Sequence, residues 1–320
     1  MRAIIVREFG KPDVMKLEEV SDLEPSENQI LVRMKAAGIN PVDTYIRQGT
    51  HAIKPDLPYT PGKDAAGIVE EVGENISKIK IGDRVYLAGS ETGTYAEFAL
   101  CQEDQVWKLP ENATFEQGAG IFVPYATAFR ALIQKAKAKS GETVLIHGAS
   151  GAVGIAAVQW AKNAGLKIIG TASSEDGKRL VREQGADFVF DHSSENYLDE
   201  INKATENRGV DVILEMLANE NLQRDFEVLA KFGRIVVIGS RGSLEFNPRS
   251  AMGKEATIRG MSLFNASEEE FAKIHQAIFE GLSEDYLSPV IGKMFPLAEA
   301  SQAHHEVIEK KAFGKIVLEI

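Results

Sequence analysis

The chain has 320 residues, 44% hydrophobic and 26% charged, and its net charge is −11. That length supports about two domains, and the acidity argues against a general nucleic-acid or anionic-membrane surface. A single cysteine, Cys101, excludes disulfides within the chain and a Cys-rich zinc site, and no apolar run approaches the roughly 20 residues that span a bilayer.

The opening Met1–Glu8 has no signal-peptide h-region. With the lone cysteine, this leads us to expect a reducing, cytoplasmic setting. Residues 1–123 read as mostly β. Ala3–Val6, Gln29–Lys35, Gly67–Gly73, Gly82–Leu87 and Tyr95–Leu100 are short segments of strand character. Their spacing predicts a partly open barrel or a sandwich-like domain. Between them lie a turn with a short helix, Gly38–Arg47, and a proline-bracketed loop, Leu57–Gly62. Asn40, Asp43, Tyr45 and Tyr59 collect there, where ligand contacts usually sit. Asn40 and Asp43 suit a helix cap equally well.

From Pro124 to Leu263 the rhythm becomes strand, helix, strand. Strands are expected at Thr143–His147, Leu166–Thr171, Asp187–Phe190, Val210–Glu215, Arg234–Gly239 and Ala256–Leu263. Helices between them are expected to close on Gly165, Gly185 and Gly233. This alternation predicts a doubly wound parallel sheet. Ser267–Glu270 is a capping box that opens a helix through about Leu282. The alternating tail, Lys315–Ile320, is expected to return to the first domain. The domains are therefore drawn as 1–123 with 264–320, and 124–263.

The strand Thr143–His147 leads into Gly148-Ala-Ser-Gly151-Ala-Val-Gly154 and then a helix-patterned segment. Strand, glycine turn and helix in that order form the setting of a dinucleotide-binding fingerprint. The glycines allow a tight turn and close backbone approach, and the helix N-terminus offers N–H groups to a pyrophosphate. Ala149 holds the usual first glycine's place. The second strand ends in Gly170-Thr-Ala-Ser-Ser174, where an NAD enzyme carries an acid against the ribose. The missing acid, with Ser173 and Lys178 nearby, favours NADPH. Lys178 also suits a solvated helix face. His192, Asn219, Asn221 and Ile238–Arg241 follow later strands toward the same edge. No His or Cys spacing forms a metal site, and no nucleophile elbow is present. The chemistry must come from the cofactor.

The domain order and the Gly-Ala-Ser-Gly-Ala-Val-Gly turn resemble the medium-chain dehydrogenase/reductase superfamily. Gly38–Tyr45, Leu57–Gly62, Glu215–Asn219, Ile238–Gly242 and Asn247–Arg249 are similar to its zinc-free NADPH:quinone oxidoreductases of the zeta-crystallin type. Zinc members carry Gly-His-Glu where this chain has Gly62-Lys63-Asp64, and a four-cysteine lobe that is absent here. The resemblance implies a GroES-like β domain beside a Rossmann domain, with NADPH in the cleft between them. It implies cofactor contacts at Tyr45, Ser150, Gly151, Ala152, Val153, Ser173, His192, Asn221, Ile238, Gly239, Ser240, Arg241, Met261, Ser262 and Leu263. Relatives with glycine in place of Ser173 make that contact the least secured by the resemblance. A homodimer or homotetramer is also implied.

The activity expected is hydride transfer from NADPH to a quinone, with a net one-electron semiquinone product associated with some members. Asn40 and Tyr45 are expected to position the substrate. Two other readings stay open: an enone or enal double-bond reductase, and a non-catalytic, NADPH-stabilised structural or RNA-binding protein of crystallin type. The net charge of −11 does not favour RNA.

Overall fold

Segments that turn one row of side chains to a shared core and the other to solvent settle as strands. A computed structural model describes residues 1–52, 54–310 and 313–320. In chain order its strands are β1 (Arg2–Val6), β2 (Met15–Glu19), β3 (Gln29–Ile39), β4 (Asp64–Val72), β5 (Arg84–Ala88), β6 (Phe98–Gln102) and β7 (Val106–Lys108). Then come β8 (Thr143–Ile146), β9 (Lys167–Thr171), β10 (Phe188–Phe190), β11 (Val210–Glu215), β12 (Leu229–Val237) and β13 (Thr257–Gly260). β14 (Ile291–Pro296) and β15 (Lys315–Glu319) close the chain.

Two compact units result, Met1–Val123 with Ile278–Ile320, and Pro124–Ala277. The second junction falls at 277/278 and not at the expected 263/264. It lies inside the helix Glu268–Ser283. The front of that helix is held to the second unit, because Glu270 pairs with Arg130 at 2.6 Å and Lys135 at 3.0 Å. The capping box forms, with Glu270 N–H donating to Ser267 Oγ and Ser267 N–H donating to the Glu270 carboxylate.

In the first unit β3 is the organising strand. Gln29–Arg33 pairs with β6, Ala36–Ile39 pairs with β15, and β4 runs along the other side. A register shift between Met34 and Ala36 bends β3 where it changes partner. Tyr95 and Ala96 lie outside β6 because they serve β1 instead: Ile4 N–H donates to Tyr95 O, and Ala96 bridges Ala3. The tail returns as expected, antiparallel to β3. The core gathers Ile4, Val32, Met34, Leu87, Tyr95, Phe295 and Leu318.

In the second unit the sheet order is β10-β9-β8-β11-β12-β13, with every neighbouring pair parallel. This is the doubly wound Rossmann order. Gly165 and Gly185 close their helices at φ 71° and 116°. The third helix departs from expectation. It stops at Val228, β12 starts at Leu229, and Phe232 takes the left-handed conformation at φ 63° in place of Gly233. No helix among the described residues is long and apolar enough to cross a membrane.

One buried ion pair ties the tail to the first unit. Lys315 Nζ lies 2.7 Å from Asp64 Oδ2 and donates to Asn40 Oδ1 at 2.6 Å. Asn40 Nδ2 donates to Asp64 Oδ2, and Val123 N–H donates to Asp64 Oδ1. Such a pair persists only when its remaining polar atoms are satisfied, and breaking it strands a buried charge. Lys315→Met is expected to cost about 3–5 kcal/mol, read as a fall of roughly 10 °C in the thermal midpoint. Lys315→Met with Asp64→Leu is expected to recover most of that loss. An unchanged midpoint in the single variant would show that the pair holds nothing.

Candidate functional site

All six strands of the second sheet point the same way, so their C-terminal ends share one edge. The glycine turn sits at the end of β8. Gly148 N–H donates to Thr171 Oγ1 and Ala149 N–H to Thr171 O, which pins the turn to the end of β9. Gly148 is left-handed at φ 57° with open space around it. The helix Ala152–Asn163 starts directly after Gly151, so the N–H groups of its first turn have no acceptor within the helix. A Cβ at Gly154 would lie 2.5 Å from Ala149 Cα, so only glycine lets this helix approach. Ala149 fits the first-glycine position because strand β9 carries Gly170 opposite it, where a Cβ would stand 3.0 Å from the Ala149 methyl.

At the end of β9 the run Thr171–Ser174 has no carboxylate. Ser174 Oγ accepts from Gly177 N–H and caps the helix Glu175–Gln184. Lys178 lies in that first turn, paired at 2.6 Å with the exposed Glu175. A pair whose carboxylate is so exposed is weak, so the ammonium can exchange Glu175 for a stronger anion.

The ends of β11 and β12 interlock. Ile238 and Gly239 N–H groups donate to Glu215 O, and Ala218 N–H donates to Gly239 O. A Cβ at Gly239 would stand 2.5 Å from Met216 O, which reserves the position for glycine. Asn221 Nδ2 donates to Glu215 Oε1 at 3.2 Å. Asn219 Oδ1 accepts from Arg241 N–H and Ser240 Oγ, ordering that loop. Met261 N–H donates to Val237 O, Ser262 is exposed and Leu263 is buried. His192 is exposed just past β10. The sheet thus gathers Ser150–Val153, Ser173, Lys178, His192, Asn221, Ile238–Arg241 and Met261–Leu263 along one edge. Tyr45 belongs to the first unit, on the helix Pro41–Gln48.

Below that edge lies a cluster that sequence spacing does not reveal, because three elements assemble it. His147 Nε2 is 2.8 Å from Asp225 Oδ1 and 3.5 Å from Glu215 Oε2, all three being buried. Burial raises the Glu215 pKa to about 7, and Asp225 adds to it. Burial opposes charge on His147, yet Asp225 and Glu215 outweigh it and raise its pKa. The three groups lie close enough to hold a metal ion. His147 Nε2 and Asp225 Oδ1 share a hydrogen bond and Glu215 Oε1 accepts from Leu217 N–H and Asn221 Nδ2, while Glu215 Oε2 and Asp225 Oδ2 have no hydrogen-bond partner among the described residues. Glu215 therefore steadies the start of the helix Ala218–Val228, which carries Asn221.

In the first unit a cavity of about 490 Å³ is lined by Asp43, Ile46, Pro58, Tyr59, Lys63 and Thr92, among others. Asn40 and Asp43 act as a cap: Asn40 N–H donates to Asp43 Oδ2 at 2.8 Å. Asn40's amide is also held by Asp64 and Lys315, which leaves one Nδ2 hydrogen for any other role. Tyr95 OH lies 3.3 Å from Asp43 Oδ2 and 3.2 Å from His304 Nε2. Burial lowers the His304 pKa to about 3, helped by Arg47, so the imidazole is neutral. Cys101 is buried and its thiol is pushed up by burial, which makes it an inert core residue.

Burial raises the Asp43 pKa to about 6; Asp64 adds to this, while Asn40 N–H, Lys315 and Tyr95 oppose it. The unfolded carboxyl titrates near 3.9, so the folded protein penalises the ion. Stability from this group is intact below about pH 4 and is lost as pH rises through the folded pKa. The loss is on the order of 3 kcal/mol. In denaturant titrations between pH 4 and 7, Asp43→Asn should therefore gain on the parent as pH rises. A pH-independent difference would contradict the burial account.

Two family models match the chain: "Alcohol dehydrogenase GroES-like domain" over residues 26–111 and "Zinc-binding dehydrogenase" over residues 152–280. The chain is 50% identical to a quinone oxidoreductase of Sus scrofa, covering 99% of this chain and 97% of the relative. It is 49% identical to the Homo sapiens quinone oxidoreductase with the same coverage. Among solved structures, Escherichia coli quinone oxidoreductase complexed with NADPH aligns with a TM-score of 0.91 at 30% identity over 100% of both chains. The chain therefore belongs to the quinone oxidoreductases of the zeta-crystallin type, within the medium-chain dehydrogenase/reductase superfamily.

Proposed function

We propose that the chain is an NADPH-dependent quinone reductase. The observation that carries the cofactor is the edge of the second sheet. It presents the N–H groups of a helix start beside a strand end without a carboxylate. The substrate class comes from relatives about half identical over nearly the full length. NADPH supplies the hydride when bound, and the protein's part is to bind, orient and exclude water.

In this reading Ser150–Val153 hold the pyrophosphate, and Ser173 with Lys178 hold the 2′-phosphate. Asn221, Ile238–Arg241 and Met261–Leu263 shape the rest of the nucleotide edge, with His192 at its far side. Tyr45 and Asn40 are assigned to the reacting end. Asn40 acts through the hydrogen bonds that fix it to Asp64 and Lys315.

A homo-oligomer is part of the proposal. β13 ends the second sheet, and Thr257–Gly260 are exposed along its length, with Phe264 exposed nearby. An open edge of this kind is a template for pairing with a second copy. We also assign the protein to the cytoplasm, on the strength of its single buried cysteine.

Initial rates of NADPH oxidation with an ortho-quinone and with an enone, side by side, test the activity. The quinone is expected to show a kcat/KM at least about tenfold higher, worth some 1.4 kcal/mol of transition-state discrimination. A faster enone would reassign the enzyme to double-bond reduction. Tight NADPH binding without turnover of either would make it a non-catalytic protein.

A further inference from the structure

We infer that the Tyr59 hydroxyl donates a hydrogen bond to the carbonyl oxygen of the quinone, with the Arg47 guanidinium as the positive charge that supports it. This rests on the quinone-reductase reading and adds a residue to its site.

Tyr59 is held by its backbone before any ligand arrives. Its N–H donates to Val6 O and its C=O accepts from Val6 N–H. Pro58 and Pro61 bracket it, and Pro61 O accepts from both Thr94 and Tyr95 N–H groups. Gly62 is left-handed at φ 103°, and a Cβ there would meet Thr94 Oγ1 at 2.1 Å. The loop is therefore rigid and close-packed. The tyrosine ring packs against the core of the first unit, which leaves the hydroxyl as its working end.

That hydroxyl is buried and has no hydrogen-bond partner among the described residues. Tyr59 lines the cavity of about 490 Å³, within the size range of small-molecule sites. Burial pushes its pKa up to about 12, with Asp43 adding and Arg47 opposing. The group is a neutral phenol at every working pH, and so a donor. Arg47 is 1% exposed, and its Nε and Nη1 are likewise without partners among the described residues. Its charge acts on both Tyr59 and Tyr95. A buried donor backed by a cation is matched by a flat apolar molecule that brings an acceptor oxygen and gains negative charge there. A quinone does both.

Two-electron reduction converts both quinone C=O groups to C–OH as the ring aromatises. The hydride from NADPH ends as the hydrogen on one oxygen, and the displaced electron pair collects on the other oxygen, which faces Tyr59. NADP⁺ is left, and one proton from solvent completes the hydroquinone. Tyr59 keeps its own proton throughout. Its hydrogen bond strengthens as charge grows on the oxygen, so it favours the transition state over the bound quinone.

Tyr59→Phe tests this with three readouts. The thermal midpoint should hold or rise, since the lost hydroxyl had no partner to satisfy. In equilibrium titrations of the enzyme–NADP⁺ complex, the Kd for 9,10-phenanthrenequinone should rise at least about fivefold. Its kcat/KM should fall by roughly 10- to 100-fold, with the NADPH Kd unchanged. A parent enzyme that reduces no quinone would fail the underlying reading and take this inference with it. If the parent is active and Tyr59→Phe matches it in Kd and kcat/KM, this assignment alone fails. A variant that melts well below the parent would show that the hydroxyl holds the fold, and would also overturn it.

Discussion

Close approach of one helix start to two strand ends is the constraint on which the second unit depends. Gly154 lets the helix Ala152–Asn163 sit against Ala149 and Gly148. Ala149 in turn needs Gly170 on the neighbouring strand. Thr171 ties the turn from the side with its hydroxyl and its carbonyl. Three separate segments thus converge on a few ångströms of backbone, and their joint result is a row of N–H groups with no internal acceptor. Anion binding at such a helix start follows from the geometry. The same logic governs the other side of the edge, where Gly239 lies against Met216 and Glu215 gathers the backbone of both loops.

The first unit solves a different problem. Its cavity is walled by short polar and aromatic loops. The buried Lys315–Asp64 pair, with Asn40 and Val123 N–H satisfying the remaining oxygens, joins the C-terminal strand to the root of those loops. Zinc-bearing members of the superfamily place a histidine and a glutamate where this chain has Lys63 and Asp64. Here the Lys315 ammonium lies beside Asp64. Arg47 and Tyr59 are among the buried donors without a partner among the described residues.

Much of this was legible in the residues. β8, β9 and β11 are apolar runs bounded by glycine or polar turns, and buried strands of a parallel sheet read that way. The glycine turn carried its meaning through spacing, and the absent acid after β9 through position. β2, β7 and β14 were not legible, because they are short or mostly exposed: β14 buries only Phe295. The early start of β12 was hidden because Phe232, and not a glycine, makes its left-handed turn. Site features built from distant segments were out of reach. His147, Glu215 and Asp225 come from the turn after β8, a strand and a helix, and no spacing rule joins them. Tyr59 was visible as a loop residue, but its unspent hydroxyl emerges only once Val6, Arg47 and Asp43 surround it.

The central claim is that the acid-free end of β9, with Ser173 and Lys178, selects the phosphorylated dinucleotide. Equilibrium titration of the protein with NADPH and NADH, at one fixed salt concentration, tests it most directly. The account predicts that NADPH binds at least about tenfold tighter, and that Lys178→Ala removes much of the preference while leaving NADH affinity in place. Equal affinities for the two cofactors would contradict it.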